Sequence, residues 1–143
     1  MGIFNTLYSV VGDVSGMSFL DMFGGSGIIG LEAISRGFGE VTVFEINSHA
    51  ANIIKKNYNS LGLTPNLVIG DSLKLIKQTD KIYDVVYIDP PYKSDIYEKI
   101  LPYVCGKLII VESSEVLDFK GFDVIKQKKY GNSIISYIQK SVL

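Results

Sequence analysis

The sequence predicts an α/β fold: a mostly parallel sheet covered by helices, closed by an antiparallel hairpin. Three observations carry this. Short β-branched runs alternate with stretches of helical spacing from residue 17 to residue 111. Glycine-rich or acidic turns follow the runs, as where parallel strands end in ligand-facing loops. After residue 120 the alternation stops, and two strand-like runs meet across Gly131-Asn132, a two-residue hairpin signal.

Each element has its own warrant. Residues 4–11 (FNTLYSVV) read as a short helix, and residues 17–22 (MSFLDM) as a strand running into the turn Gly24-Gly25-Ser26-Gly27. A helix through Ile28, Ile29, Leu31, Ala33 and Ile34 should stop at Gly37, a left-handed cap just past Arg36. Residues 41–46 (VTVFEI) form the next strand. Asn47 or Ser48 caps a helix whose apolar positions Ala50, Ile53, Ile54, Tyr58 and Leu61 recur at helical spacing, and Gly62 ends it. Residues 67–69 make a short strand before Gly70-Asp71, and Asp71 or Ser72 caps a helix through Leu73 and Ile76. Residues 82–88 (IYDVVYI) are a strand with a continuous apolar half, as expected when both sheet faces are covered. A helix over 95–101 ends at Pro102, and residues 107–111 are another buried strand. Residues 122–130 and 133–139 complete the sheet.

Bulk properties bound the function. The 143 residues suit one domain, 1–143, and a hydrophobic share of 47% supports a real core. A net charge of −1 supplies no overall field toward nucleic acid, so a polyanionic partner has to be met by a local basic patch. The one cysteine, Cys105, sits in an apolar context and reads as a small core residue; with no internal disulfide possible, a reducing cytoplasm is expected. The one histidine, His49, makes a histidine-based metal site or a Ser-His triad improbable. No apolar run reaches the ~20 residues of a membrane helix, and no basic segment precedes an apolar stretch at the N-terminus as in a signal peptide.

Four acids fall at the ends of four successive predicted strands: Asp21, Glu45, Asp71 and Asp89. One alone is an ordinary helix cap or loop charge, and Asp71 beside Ser72 fits that reading as well as any other. Together they form a rim of acceptors suited to sugar hydroxyls and amines, which phosphate oxygens cannot satisfy. The glycine turn has two readings. Gly25-Ser26-Gly27-Ile28-Ile29-Gly30 matches G-x-G-x-x-G with Glu45 at the distance of a ribose-binding acid, which suggests a dinucleotide. With Asp21 just ahead of the glycines it equally suits S-adenosylmethionine (SAM), whose amino group needs an acceptor and whose close approach needs glycine.

The stretch IDPPY (88–92) separates them. Pro90-Pro91 stiffens the strand exit and leaves backbone carbonyls free to accept hydrogen bonds. Asp89 supplies a carboxylate and Tyr92 a flat face for stacking a base. That is a seat for a planar group bearing an NH2. Hydrogen bonds from both N–H groups to Asp89 and the Pro90 carbonyl favour a pyramidal nitrogen able to attack a sulfonium methyl in line, with Asp89 accepting the proton and no metal needed. Hydride transfer has no use for these residues.

These motifs resemble the SAM-dependent methyltransferases, and more closely the bacterial 16S rRNA guanine-N2 methyltransferases of the RsmD family. The likeness lies in FNTL (4–7), FLDMFGGSGIIGLEAISRG (19–37), VFEIN (43–47), YDVVYIDPPY (83–92), LIIVESS (108–114) and KKYGNS (128–133). It implies a Rossmann-like class I methyltransferase sandwich and transfer of methyl from SAM to an exocyclic base amine, guanine N2 of small-subunit rRNA, free or in an assembling subunit. Adenine N6 stays open as the acceptor, as does a catalytically idle SAM- or RNA-binding relative. By position, the resemblance implies that Asp21, Phe23, Gly24, Gly25 and Gly27 line the methionine end of SAM. Glu45 would hold the ribose with Ile46 beside the adenine, Asp71 and Ser72 would face the adenine amine, and Asp89, Pro90, Pro91 and Tyr92 would hold the guanine. The basic, arginine-bearing segment that precedes the FN-x-L motif in the family has no counterpart here, which leaves Lys126, Lys128, Lys129, Lys55 and Lys56 as candidate phosphate contacts and predicts salt-sensitive RNA binding.

Overall fold

A computed structural model describes residues 2–91 and 95–142. Seven strands form one sheet in the order β3-β2-β1-β4-β5-β7-β6. The parallel strands are β1 (Ser18–Asp21), β2 (Glu40–Glu45), β3 (Asn66–Ile69), β4 (Tyr83–Ile88) and β5 (Gly106–Ser113). β6 (Phe122–Tyr130) and β7 (Ser133–Lys140) pair antiparallel, with β7 inserted beside β5. The chain runs outward from β1 to β3, then crosses back to lay β4 against the other side of β1. That reversal opens a crevice above the carboxyl ends of β1 and β4.

Both faces of the sheet are covered, which explains the continuous apolar runs. Along β1, Phe19 faces one side and Leu20 the other; along β4, Val85 and Tyr87 face the first side, Val86 and Ile88 the second. The first face is covered by α1 (Gly2–Val11), α2 (Ile28–Ser35) and α3 (Ser48–Asn59), the second by α4 (Ser72–Gln78), α5 (Ile96–Ile100) and a 3-10 turn at Leu101–Tyr103. α1 buries Ile3, Phe4 and Leu7, with Phe4, Phe19 and Phe38 in mutual ring contact. The Tyr137 hydroxyl donates to the Ile3 carbonyl at 2.8 Å, tying α1 to β7.

The boundaries depart from the sequence reading in instructive ways. α1 begins at Gly2, before Phe4. β5 runs on to Ser113, because the antiparallel β7 supplies partners for Glu112 and Ser113 that no parallel neighbour offers. Pro102 lies inside the 3-10 turn after α5, at a position where its fixed φ is tolerated and its missing N–H costs nothing. Cys105 is only partly buried, just ahead of β5. The hairpin has Gly131 at φ 59 and no positive φ at Asn132, the pattern of a type II′ turn.

Candidate active site

The acids meet at one edge of the sheet. Asp21 and Glu45 are the last residues of β1 and β2, Asp89 directly follows β4, and Asp71 lies two residues beyond β3. They border a cavity of about 1070 Å³, together with Phe23, Gly24, Gly25, Ile46, Ser72, Pro90, Pro91 and Asp95. Five carboxylates line this cavity and, among the described residues, no lysine or arginine does. Tyr92 lies outside the described residues.

Asp21 is 1% exposed. Its Oδ1 accepts the Phe23 N–H at 3.1 Å, while Oδ2 is buried without a partner. Burial pushes this carboxyl up to about 8, opposed in part by the Phe23 bond and reinforced by Asp89 and Glu45.

Glu45 holds the glycine turn. Oε1 accepts the Gly25 N–H at 2.8 Å, and Oε2 accepts the Asn47 N–H at 2.9 Å. Gly24 N–H donates to the Phe44 carbonyl at 2.9 Å, so the turn is laced directly to β2. Gly24 has no room for a side chain: a Cβ there would collide with Val43 and Ile54. Gly25, at φ 59, sits in the left-handed region that favours glycine. Gly27 does not line the cavity; at φ 83 it caps α2, and a Cβ there would press on Ile54 and Tyr58. Its role in this geometry is to let α2 settle onto α3.

Asn47 rather than Ser48 caps α3, its side chain accepting the Ala50 N–H at 3.0 Å. Asp71 occupies the N-cap position of α4 yet makes no side-chain capping bond, so its carboxylate is available at the cavity wall. Ser72 is buried and donates its hydroxyl to the Met22 carbonyl, bracing α4 against the turn after β1.

Several lining residues were not singled out from sequence. Ile28 and Ile53 read as core positions of their helices, but Ile28 is 57% and Ile53 37% exposed, and both border the cavity. The signal was the doublet: in Ile53-Ile54 only one neighbour can face the sheet, and Ile54, fully buried, does so. With Ile46, 66% exposed, they give the cavity an apolar lip. His49 stands at the same border. Of the candidate phosphate contacts, Lys126 reaches Ser9 Oγ at 3.3 Å, while Lys128 and Lys129 on β6 and Lys55 and Lys56 on α3 are exposed.

The match of residues 1–139 to the family model described as conserved hypothetical protein 95 is decisive. The chain belongs to this family, the RsmD family. It is 33% identical over 118 residues to "Ribosomal RNA small subunit methyltransferase D" of Buchnera aphidicola (subsp. Acyrthosiphon pisum), covering 81% of this chain and 58% of that relative. It is 32% identical over 133 residues to the Haemophilus influenzae protein of the same name, covering 82% of this chain and 68% of that relative. A solved Haemophilus influenzae protein described as a candidate methylase superposes with a TM-score of 0.81 at 27% identity, over 97% of this chain and 96% of that one. The sheet of this RsmD-family chain is thus that of the Rossmann-like methyltransferases, mostly parallel with antiparallel C-terminal strands. Among its described residues, no helix is long and apolar enough to cross a membrane.

Proposed function

We propose that this cavity binds S-adenosylmethionine and that the chain transfers its methyl group to an exocyclic amine of a nucleobase, guanine N2 of small-subunit rRNA. The observation that carries the reading is the acidic cavity itself. A pyrophosphate would face five carboxylates and no lysine or arginine among the described residues, whereas a ligand with ammonium and sulfonium charges meets complementary groups. The buried, unpartnered Oδ2 of Asp21 fits the cationic methionine end, with Phe23, Gly24 and Gly25 alongside. Glu45 holds the ribose hydroxyls. Ile46 covers one face of the adenine, Asp71 accepts from its amine, and Ser72 keeps the adjoining wall in place. Once bound, the sulfonium supplies an electrophilic methyl. Asp89 and the Pro90 carbonyl accept hydrogen bonds from the target amine, Pro91 and Tyr92 complete the base seat, and Asp89 takes up the proton.

The rRNA substrate, free or in an assembling subunit in the cytoplasm, rests on the family and on the relatives' names. Lys128, Lys129, Lys55 and Lys56 are exposed and are the cations we assign to its phosphates. The chain spans 58% of the length of the Buchnera relative.

Mass mapping of methylated nucleosides in rRNA from cells with and without the protein tests the substrate; N2-methylguanosine lost on deletion is the expected result, and N6-methyladenosine lost instead would shift the acceptor to adenine. Asp89→Ala tests the chemistry. Methyl transfer should fall at least ~100-fold, the scale of general-base loss, while SAM still binds. Equal methylation by both proteins would remove Asp89 from its assigned role, and a thermal shift with NADH but none with SAM would overturn the ligand.

A further inference from the structure

The geometry points to Asp21 as a proton-linked latch: without ligand its carboxyl is the neutral acid, and the arriving cationic head of the ligand expels that proton to solvent. The inference rests on the SAM reading above and adds to it a linkage between occupancy and pH.

Among the described residues, burial and two like charges argue against a carboxylate at Asp21 in the absence of ligand, and one backbone donor argues for it. Its own turn offers one donor, the Phe23 N–H, and leaves Oδ2 buried and unpartnered. The groups that act on it electrostatically from neighbouring segments are Glu45 at the end of β2 and Asp89 after β4, both of the same sign as an ionised Asp21. Tyr87 on β4 and Tyr58 on α3 are neutral phenols whose own ionisation is suppressed by burial, with Asp21 adding to the effect. α2 brings no acidic residue in its first turn and no basic one in its last. Around the rest of the cavity stand Asp71, Asp95 and His49, and no lysine or arginine among the described residues. An isolated buried anion with one hydrogen bond is costly, and protonation relieves the cost. The carboxyl's rise to about 8 agrees.

A ligand carrying a fixed positive charge reverses the balance. It supplies the opposite charge that no described side chain provides, and the pair Asp21 carboxylate plus ligand cation replaces a neutral acid. The change is one O–H ionisation: the proton leaves to the buffer, and no bond to the ligand is made or broken. Below the range in which Asp21 titrates, affinity should therefore tighten about tenfold per pH unit as pH rises, until the ligand's own amino group starts to lose its proton near ~7.8.

Isothermal titration of SAM at pH 6.5 in two buffers of different ionisation enthalpy reads the proton count directly. At that pH an α-amino group, which titrates near ~7.8, is protonated and contributes little. The wild type should release about one proton per SAM bound, and Asp21→Asn, a neutral isostere, should release close to none. Release at pH 6.5 that disappears at pH 9 is required of the wild type in any case, and decides the matter if the variant binds too weakly or misfolds. SAM binding with no buffer dependence at pH 6.5 would overturn the latch and leave the SAM reading intact. Absence of SAM binding altogether would overturn that reading, and the latch with it.

Discussion

Glu45 and Gly25, 20 residues apart, are joined by a 2.8 Å hydrogen bond from the glycine amide to the carboxylate. The other oxygen of the same carboxylate holds the Asn47 amide at 2.9 Å, so one side chain sets both the glycine turn and the entry to α3. A ribose at Glu45 would use lone pairs left over from these two bonds.

Glu45→Ala should therefore act on structure and ligand together. Loss of two hydrogen bonds to a charged acceptor at a partly exposed site should lower stability by about 1–2 kcal/mol in urea denaturation. SAM affinity should fall by at least ~10-fold, because the turn loses its brace as well as its acceptor. Unchanged stability with weakened binding would confine Glu45 to ligand contact.

Asp21→Asn should stabilise the ligand-free protein, increasingly so as pH rises. The folded pKa of Asp21 is about 8 against an ordinary value of 3.8, so the native state holds a proton that the unfolded chain has already lost. Stability contributed by that proton is fully present below the ordinary value, falls by about 1.4 kcal/mol per pH unit between the two, and is gone above the upper one. Urea denaturation at pH 5, 6.5 and 8.5 should show the gap between Asp21→Asn and wild type widening upward. Parallel profiles would mean that Asp21 is ionised throughout.

Gly30 and Tyr58 should behave as a coupled pair. A Cβ on Gly30 would run into the Tyr58 hydroxyl and press on Val43, so Gly30→Ala should cost about 1–3 kcal/mol. The Tyr58 hydroxyl is buried without a partner, so Tyr58→Phe alone should be neutral or mildly stabilising. In the Tyr58→Phe background the Gly30→Ala cost should shrink. A full double-mutant cycle measures the coupling, and strict additivity would show that the clash lies elsewhere.

Arg36 should matter through packing more than charge. Its guanidinium lies 5.6 Å from the centre of the Phe4 ring and 5.5 Å from that of Tyr8, and it also donates to Glu32 and Asn5. Arg36→Ala should cost about 1–2 kcal/mol, and Arg36→Lys should recover less than half, because an ammonium cannot stack on two rings. Recovery that is complete in Lys, and lost in high salt for both, would make the interaction a plain ion pair.

The sheet was legible because its strands announce themselves twice, by β-branched runs and by the turns that follow them. Val85-Val86-Tyr87-Ile88 could be read as a doubly covered strand, and its residues do divide between the two faces. The four strand-end acids were legible for the same reason, since the end of a strand fixes where its last side chain can be. What could not be read was how each polar group is spent. Asp71 and Ser72 look interchangeable as caps in sequence, yet one carboxylate borders the cavity and the other side chain is committed to the Met22 carbonyl. That choice depends on α4 docking against the loop after β1, a contact 50 residues away. Gly27, which the family resemblance places at the methionine end of the ligand, also has a packing demand that sequence does not show: a Cβ there would press on Ile54 and Tyr58. Ile28 and Ile53 escaped notice because helical spacing does not tell which member of an apolar doublet looks outward.

All the strand-end acids rise at one rim of the sheet, while β6 begins at the other, beside the exposed Lys120-Gly121 bend. A dye or surface tether attached at that bend would leave the acidic cavity unobstructed. The fold therefore comes with a built-in handle: immobilised by its far rim, the protein should report ligand arrival in a flow-cell or single-molecule assay with its working edge turned toward the solution.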